Sequence, residues 1–116
     1  MTETEEIIRE LIKFRNERDW EQFHNPKDLA LAINIEAGEL LELFLWKKHE
    51  DANIEKVKEE LADILSFAFL LVEKYGFDAK QIIFDKIKLN VEKYPVDKAK
   101  GTPKKYNEFD NDLANW

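Results

Sequence analysis

Leu29–Trp46 reads LALAINIEAGELLELFLW, and Glu59–Val72 reads EELADILSFAFLLV. On a helix turning about 100° per residue, the apolar side chains of both segments cover nearly the whole circumference. A helix of that kind is expected at the centre of a bundle rather than on its surface. Both segments are interrupted in the same way. Glu36 and Glu39 lie within the first, Glu60 and Asp63 within the second. Each pair has spacing i, i+3, which places both carboxylates on one helix face about one turn apart. Glu36 and Asp63 have apolar neighbours along the chain, so they are expected to point inward or into a cleft. A buried carboxylate without a partner costs several kcal/mol, a large part of the ~5–15 kcal/mol by which a domain is stable.

Something positive is therefore expected between the pairs. No lysine or arginine lies between Leu29 and Trp46 or between Glu59 and Val72. A hard divalent cation is the alternative. Four carboxylates from two helices, without His or Cys, suit Mg²⁺, or Mn²⁺, rather than Zn²⁺. A single E-x-x-E is ordinarily a solvated helix face; two inside apolar helices are not. Gly38 stands between the two glutamates, where glycine costs about 1 kcal/mol relative to alanine and commonly marks close packing or the approach of a ligand. A di-iron carboxylate bundle would need two Glu-x-x-His spacings. The chain has one, Glu21 to His24, so half of that ligand set is missing.

Working outward, the spacing predicts four helices. The first covers about Thr4–Arg18, with Ile7, Ile8, Leu11, Ile12 and Phe14 on its apolar side and a capping box between Thr2 and Glu5. The second starts at Asn25–Pro26 and is expected to run to Trp46. The third starts after Asn53 and ends at Tyr75–Gly76. The fourth follows Asp78 and ends near Tyr94, because Pro95 forbids continuation. Residues 96–116 read as an ordered or semi-ordered basic tail. All 116 residues form one expected domain, all-α and built as a four-helix bundle. Helices two and three are too apolar all round to be covered by one chain of this size, so a homo-oligomer is expected.

The composition agrees. Three glycines, three prolines and no cysteine among 116 residues favour long helices and exclude a disulfide-stapled scaffold. The lack of cysteine and of an apolar leader is compatible with a cytoplasmic location. The longest apolar run, Ile64–Val72, is shorter than the ~20 residues that span a bilayer, so no membrane association is expected. The net charge of −7 disfavours nucleic acid as the main partner. That charge is unevenly spread. Acids outnumber bases 17 to 9 in residues 1–63, whereas residues 80–106 hold eight lysines and three acids. The pattern suits a cation site in one part of the chain and a phosphate site in another, with differently solvated helix faces as the plainer reading.

Glu36–Ala37–Gly38–Glu39–Leu40 with Phe44–Leu45–Trp46, followed by Glu59–Glu60–Leu61–Ala62–Asp63, resembles the E-x-x-E … E-x-x-D signature of the all-α nucleoside triphosphate pyrophosphohydrolases, the MazG-like enzymes. The flanks resemble their dCTP pyrophosphatase branch: Arg18–Asp19–Trp20–Glu21–Gln22–Phe23–His24 before the second helix, then Asn90, Tyr94–Pro95–Val96, Gly101 and Lys105–Tyr106 after the fourth. The resemblance spans about residues 5–107. It implies Mg²⁺-dependent hydrolysis of a nucleoside triphosphate, dCTP or a related or modified pyrimidine deoxynucleotide, to the monophosphate and pyrophosphate. It also implies a dimer or tetramer and a role in cleansing the nucleotide pool.

Carried over position by position, the resemblance makes Glu36, Glu39, Glu60 and Asp63 the metal ligands and catalytic set. Trp20 and Trp46 would hold the base, with Phe67 at a position where that branch often has tyrosine. Asn90, Tyr94, Lys98, Lys100, Lys105 and Tyr106 fall where the branch places contacts to the nucleotide. Trp46 and Trp20 are equally readable as packing residues, and the lysines as a solvated surface. A non-catalytic helical module, for oligomerisation or nucleotide sensing, is the competing functional reading.

Overall fold

The computed structural model describes residues 1–108; residues 109–116, the end of the basic tail, lie outside the described residues. The described chain is all-helical, with no strand. It divides into two compact units, Met1–Ala79 and a second from Lys80 onward.

In the first unit, helix α1 (Glu3–Glu17) begins at the expected capping box. Thr2 Oγ1 accepts from the Glu5 N–H at 3.1 Å, and Glu5 Oε2 accepts from the Thr2 N–H at 2.9 Å, so two of the helix's orphan donors are satisfied reciprocally. Helix α2 (Pro26–Glu42) starts with Asn25 Oδ1 accepting from the Asp28 N–H at 2.9 Å and with proline in the first turn, where its missing N–H costs nothing. Helix α3 (Ile54–Tyr75) is capped by Asn53, which accepts from Lys56 N–H at 3.2 Å. It ends at Gly76, whose φ of 69° is left-handed and favours glycine. There the Phe77 N–H reaches Val72 O and the Gly76 N–H reaches Glu73 O, both at 3.0 Å, which closes the helix in a Schellman turn.

The end of α2 differs from expectation. Regular helix stops at Glu42, not at Trp46. The next three N–H groups bond three residues back, Leu43 to Leu40, Phe44 to Leu41 and Leu45 to Glu42, so the helix tightens as it ends. Trp46 then takes φ 64°, a conformation a helix cannot continue through and that a bulky residue rarely adopts. Two short 3₁₀ turns, Glu21–Phe23 and His49–Asp51, were not foreseen; both lie in connections.

Helix α3 is the central element of this unit. It packs extensively on α2 and to a smaller extent on α1. The buried apolar side chains are few: Leu29 from α2, Leu70 from α3 and Ala79. Arg15 is the one buried charged side chain among the described residues. Leu31, Ile35 and Leu41 of α2 and Leu61 and Leu65 of α3 remain exposed. A Cβ placed on Gly38 would meet nothing within 4 Å, so the close packing expected there is absent within the described chain.

Helix α4 (Ala79–Lys93), which from Lys80 onward belongs to the second unit, ends two residues before Pro95. A single-turn helix α5 (Val96–Ala99) and a 3₁₀ turn (Tyr106–Glu108) give the tail more regular structure than expected. Ile83, Phe84, Ile87 and Val91 of α4 are exposed. Among the described residues no helix is long and apolar enough to cross a membrane.

Two substitutions test this packing by chemical denaturation. Leu29→Ala empties a site that is 1% exposed and should cost roughly 2–5 kcal/mol. Gly38→Ala fills open space in a helix interior and should stabilise by about 0.5–1 kcal/mol.

Candidate active site

The packing of α2 on α3 brings the two interrupted segments together. One carboxylate oxygen each from Glu36, Glu60 and Asp63 lies within 4.8 Å of the others. Glu36 and Glu60 are half-buried and Asp63 is exposed. Oε2 of Glu36 and Oε2 of Glu60 are both buried without a hydrogen-bond partner. Glu39, one turn along α2, is exposed and stands outside that mutual cluster, although its carboxyl acts on Glu36 by hydrogen bonding and by charge. The structure thus converges three of the four expected carboxylates and sets the fourth beside them.

Like charges so close cannot all ionise without cost. The Glu36 carboxyl is pushed up to about 7, first by its side-chain pairing with Glu60, between which a proton would be shared once one of the two is neutral, then through burial, then through the side chain and charge of Glu39 and the charge of Glu60. The donor set is oxygen only, and two of its oxygens are buried and unpartnered. These residues fit a hard divalent cation, which would replace the shared proton and satisfy the orphaned oxygens.

Asp63 also opens onto a cavity of about 460 Å³. Its apolar wall is Leu11, Phe14, Trp20, Phe67 and Leu70, and its polar atoms come from Arg15, His24, Ser66 and Asp63. Trp20 is edge-on to Phe14, with centroids 5.7 Å apart, and His24 is edge-on to Phe67 at 6.4 Å. His24 Nδ1 is buried without a partner. Burial, then the charges of Arg15 and Lys74, lower the His24 pKa, so the ring is neutral at pH 7. A largely apolar, aromatic cavity wall beside a carboxylate cluster is chemically suited to a heterocyclic ring carrying phosphates.

Trp20 and Phe67 are therefore brought together as expected. Trp46 is not part of that wall: it is 98% exposed. Its left-handed backbone is a strained conformation of the kind that clusters at functional positions. Asn90, Tyr94, Lys98, Lys100, Lys105 and Tyr106 belong to the second unit. There Tyr94 packs edge-on to Tyr106 at 6.3 Å, and Lys93 Nζ sits 5.1 Å from the Tyr106 ring centre. Leu11, Phe14, Ser66 and His24 were not singled out as site residues from the sequence. His24 carried a signal, the Glu21-x-x-His24 spacing, but its meaning differs: Glu21 pairs with Arg15 and His24 lines the cavity.

The raised Glu36 pKa has a consequence for stability. A carboxyl held near 7 in the folded chain, against 4.5 when free, supports the fold below 4.5, and that support is lost as pH rises through 7. The metal-free protein should lose thermal stability over this window. Glu36→Gln should flatten that part of the profile, and Mg²⁺ should restore the melting temperature of the wild type above pH 7 but not that of the variant. Scanning calorimetry with EDTA or Mg²⁺ across pH 4.5–8 reads both effects.

Comparison with known proteins points the same way. The chain is 38% identical to dCTP pyrophosphatase 1 of Bos taurus, over 90% of this chain and 67% of that one. It is 36% identical to dCTP pyrophosphatase 1 of Homo sapiens, over 90% of this chain and 66% of that one. It thus spans about two-thirds of the length of these relatives. The crystal structure of a pyrophosphatase from Archaeoglobus fulgidus superposes with a TM-score of 0.74 at 34% identity, covering 82% of this chain and 94% of that one. Residues 31–109 match the MazG-like family, a span that holds all four site carboxylates, and the chain is a member of that family.

Proposed function

We propose that this protein is a nucleoside triphosphate pyrophosphohydrolase that needs a divalent cation, Mg²⁺ or Mn²⁺. Its substrate is dCTP or a modified pyrimidine deoxynucleoside triphosphate, cleaved to the monophosphate and pyrophosphate. The observation that carries this reading is the pair of buried, unpartnered carboxylate oxygens of Glu36 and Glu60, clustered with Asp63 at the mouth of an aromatic cavity. The dCTP pyrophosphatases named above support the choice of base and sugar.

Glu36, Glu60 and Asp63 would hold the cation, with Glu39 completing the set. When bound, the cation neutralises charge on the phosphates and polarises the phosphorus under attack. Phosphoryl transfer asks mainly for alignment and charge compensation, so little covalent chemistry is required of the protein. Glu39 is exposed beside the cluster and is our candidate to accept the proton of the attacking water. Trp20 and Phe67 hold the base in the cavity, and Trp46, already free of packing, closes on it by stacking. From the second unit, of this chain or of a neighbouring subunit, Lys98, Lys100 and Lys105 are our candidates for contacts to the remaining phosphates, and Asn90, Tyr94 and Tyr106 for contacts around the nucleotide.

A dimer or tetramer, assembled as helical bundles, covers the apolar side chains left exposed on α2, α3 and α4. On this reading the protein has a house-cleaning role in the nucleotide pool, with the cytoplasm as the expected compartment.

Incubation with a panel of NTPs, dNTPs and modified dNTPs, with Mg²⁺ or EDTA, tests the reaction. Pyrophosphate should appear only with the cation, and most rapidly with cytidine deoxynucleotides. Orthophosphate alone would refute the pyrophosphohydrolase reading, and no turnover at all would favour the non-catalytic helical module. Asp63→Asn should lower kcat by about 100-fold or more while the protein stays folded, since charge stabilisation by the cation is worth several kcal/mol. Light scattering at assay concentration should give a mass of two or four chains; a monomer would refute the assembly.

A further inference from the structure

One buried charge plays no part in the cation site. Arg15, on α1, is 3% exposed and lines the same cavity as Trp20 and His24. All three guanidinium nitrogens are engaged. Nη2 donates to Glu21 Oε2 at 2.9 Å, Nη1 to Glu73 Oε2 at 3.4 Å, and Nε to Asn16 Oδ1 at 3.1 Å. Glu21 opens the 3₁₀ turn that follows Trp20, and Glu73 lies on α3. Lys74 Nζ, also from α3, approaches Glu21 at 3.8 Å.

The Arg15 backbone grips the same segment. Its carbonyl accepts from the N–H of Arg18 at 3.2 Å and of Trp20 at 3.1 Å, across a turn in which Asp19 takes φ 54°. One residue thus fixes the exit of α1 through its carbonyl and fastens the following turn to α3 through its side chain. A planar fork can bridge two carboxylates from two elements; a lysine, a point charge on a flexible stem, holds neither in a set direction. Three of the five N–H donors of the guanidinium are spent on holding parts of the protein together.

We propose that Arg15 is a positioning residue for recognition of the base: by tying the Trp20–His24 turn to α3 it sets the aromatic wall of the cavity, without itself touching the nucleotide. This rests on the reading that the cavity receives the base of a nucleoside triphosphate. Removal of Arg15 leaves the carboxylates of the cation site in place and lets the wall drift, so binding of the base weakens and the chemical step does not.

The test is steady-state kinetics with the substrate that the wild type turns over best, at saturating Mg²⁺, on Arg15→Met, Arg15→Lys, Trp20→Ala and the Arg15→Met/Trp20→Ala double variant. Arg15→Met should raise KM about tenfold with kcat within about twofold of wild type, and Arg15→Lys should recover only part of the loss. In the Trp20→Ala background, Arg15→Met should add less than about twofold to KM, because the two act through one wall. An undiminished effect in that background, or a fall in kcat with KM unchanged, would overturn the proposal. If Arg15→Met does not fold, Glu21→Gln removes one partner at an exposed carboxylate; it should raise KM by a few fold, and an unchanged KM overturns the proposal equally. A wild type without turnover on any nucleotide would overturn the pyrophosphohydrolase reading and this proposal with it. An active wild type whose Arg15 variants keep its KM would overturn this proposal alone.

Discussion

The repulsion among Glu36, Glu60 and Asp63 is the constraint around which the first unit is organised. The apolar faces of α2 and α3 pull the two helices together, and that packing crowds three carboxylates within 4.8 Å of one another. The apolar core that must outweigh the repulsion is small, centred on Leu29 and Leu70. The crowding raises the Glu36 carboxyl to about 7, so protonation there relieves part of the conflict as the pH falls below neutral. A divalent cation relieves it more completely, because it can satisfy the orphaned oxygens as well as the charge.

The same unit handles a second buried charge in the opposite way. Among the described residues Arg15 is as thoroughly buried as any apart from Leu29, yet each of its guanidinium nitrogens has an acceptor. Breaking one side of such an arrangement is costly because it strands the remaining charge. Asp63 from the strained cluster and Arg15 from the satisfied one both line the aromatic cavity. In one cluster like charges crowd together with two oxygens unpartnered; in the other a cation is matched by its acceptors.

Features governed by neighbours a few residues away were legible in advance. The Thr2–Glu5 capping box, the Asn25–Pro26 and Asn53 helix starts and the Gly76 stop all depend on short-range hydrogen bonds or on a single φ angle. The end of α2 was not legible, because no glycine, proline or asparagine marks it and the break lies in the backbone of Trp46 itself. The partners of Arg15 were equally hidden: Glu73 is 58 residues away in sequence, and nothing in either local pattern links them. The cavity wall was only half visible. Trp20 and Phe67 stood out through family resemblance, whereas Leu11 and Phe14 looked like ordinary members of the apolar face of α1.

What the sequence by itself determined is the all-α class, the positions of the helix starts, and the presence of two i, i+3 carboxylate pairs within two largely apolar helices. Periodicity and capping are properties of one helix at a time, and a linear reading captures them. Only the tertiary structure decided which carboxylates meet, that Glu39 stands beside the cluster rather than in it, and that an aromatic cavity opens beside Asp63. Those facts depend on how α3 is laid against α1 and α2. Distances of a few ångströms between residues tens of positions apart arise from that packing, and no local pattern encodes them.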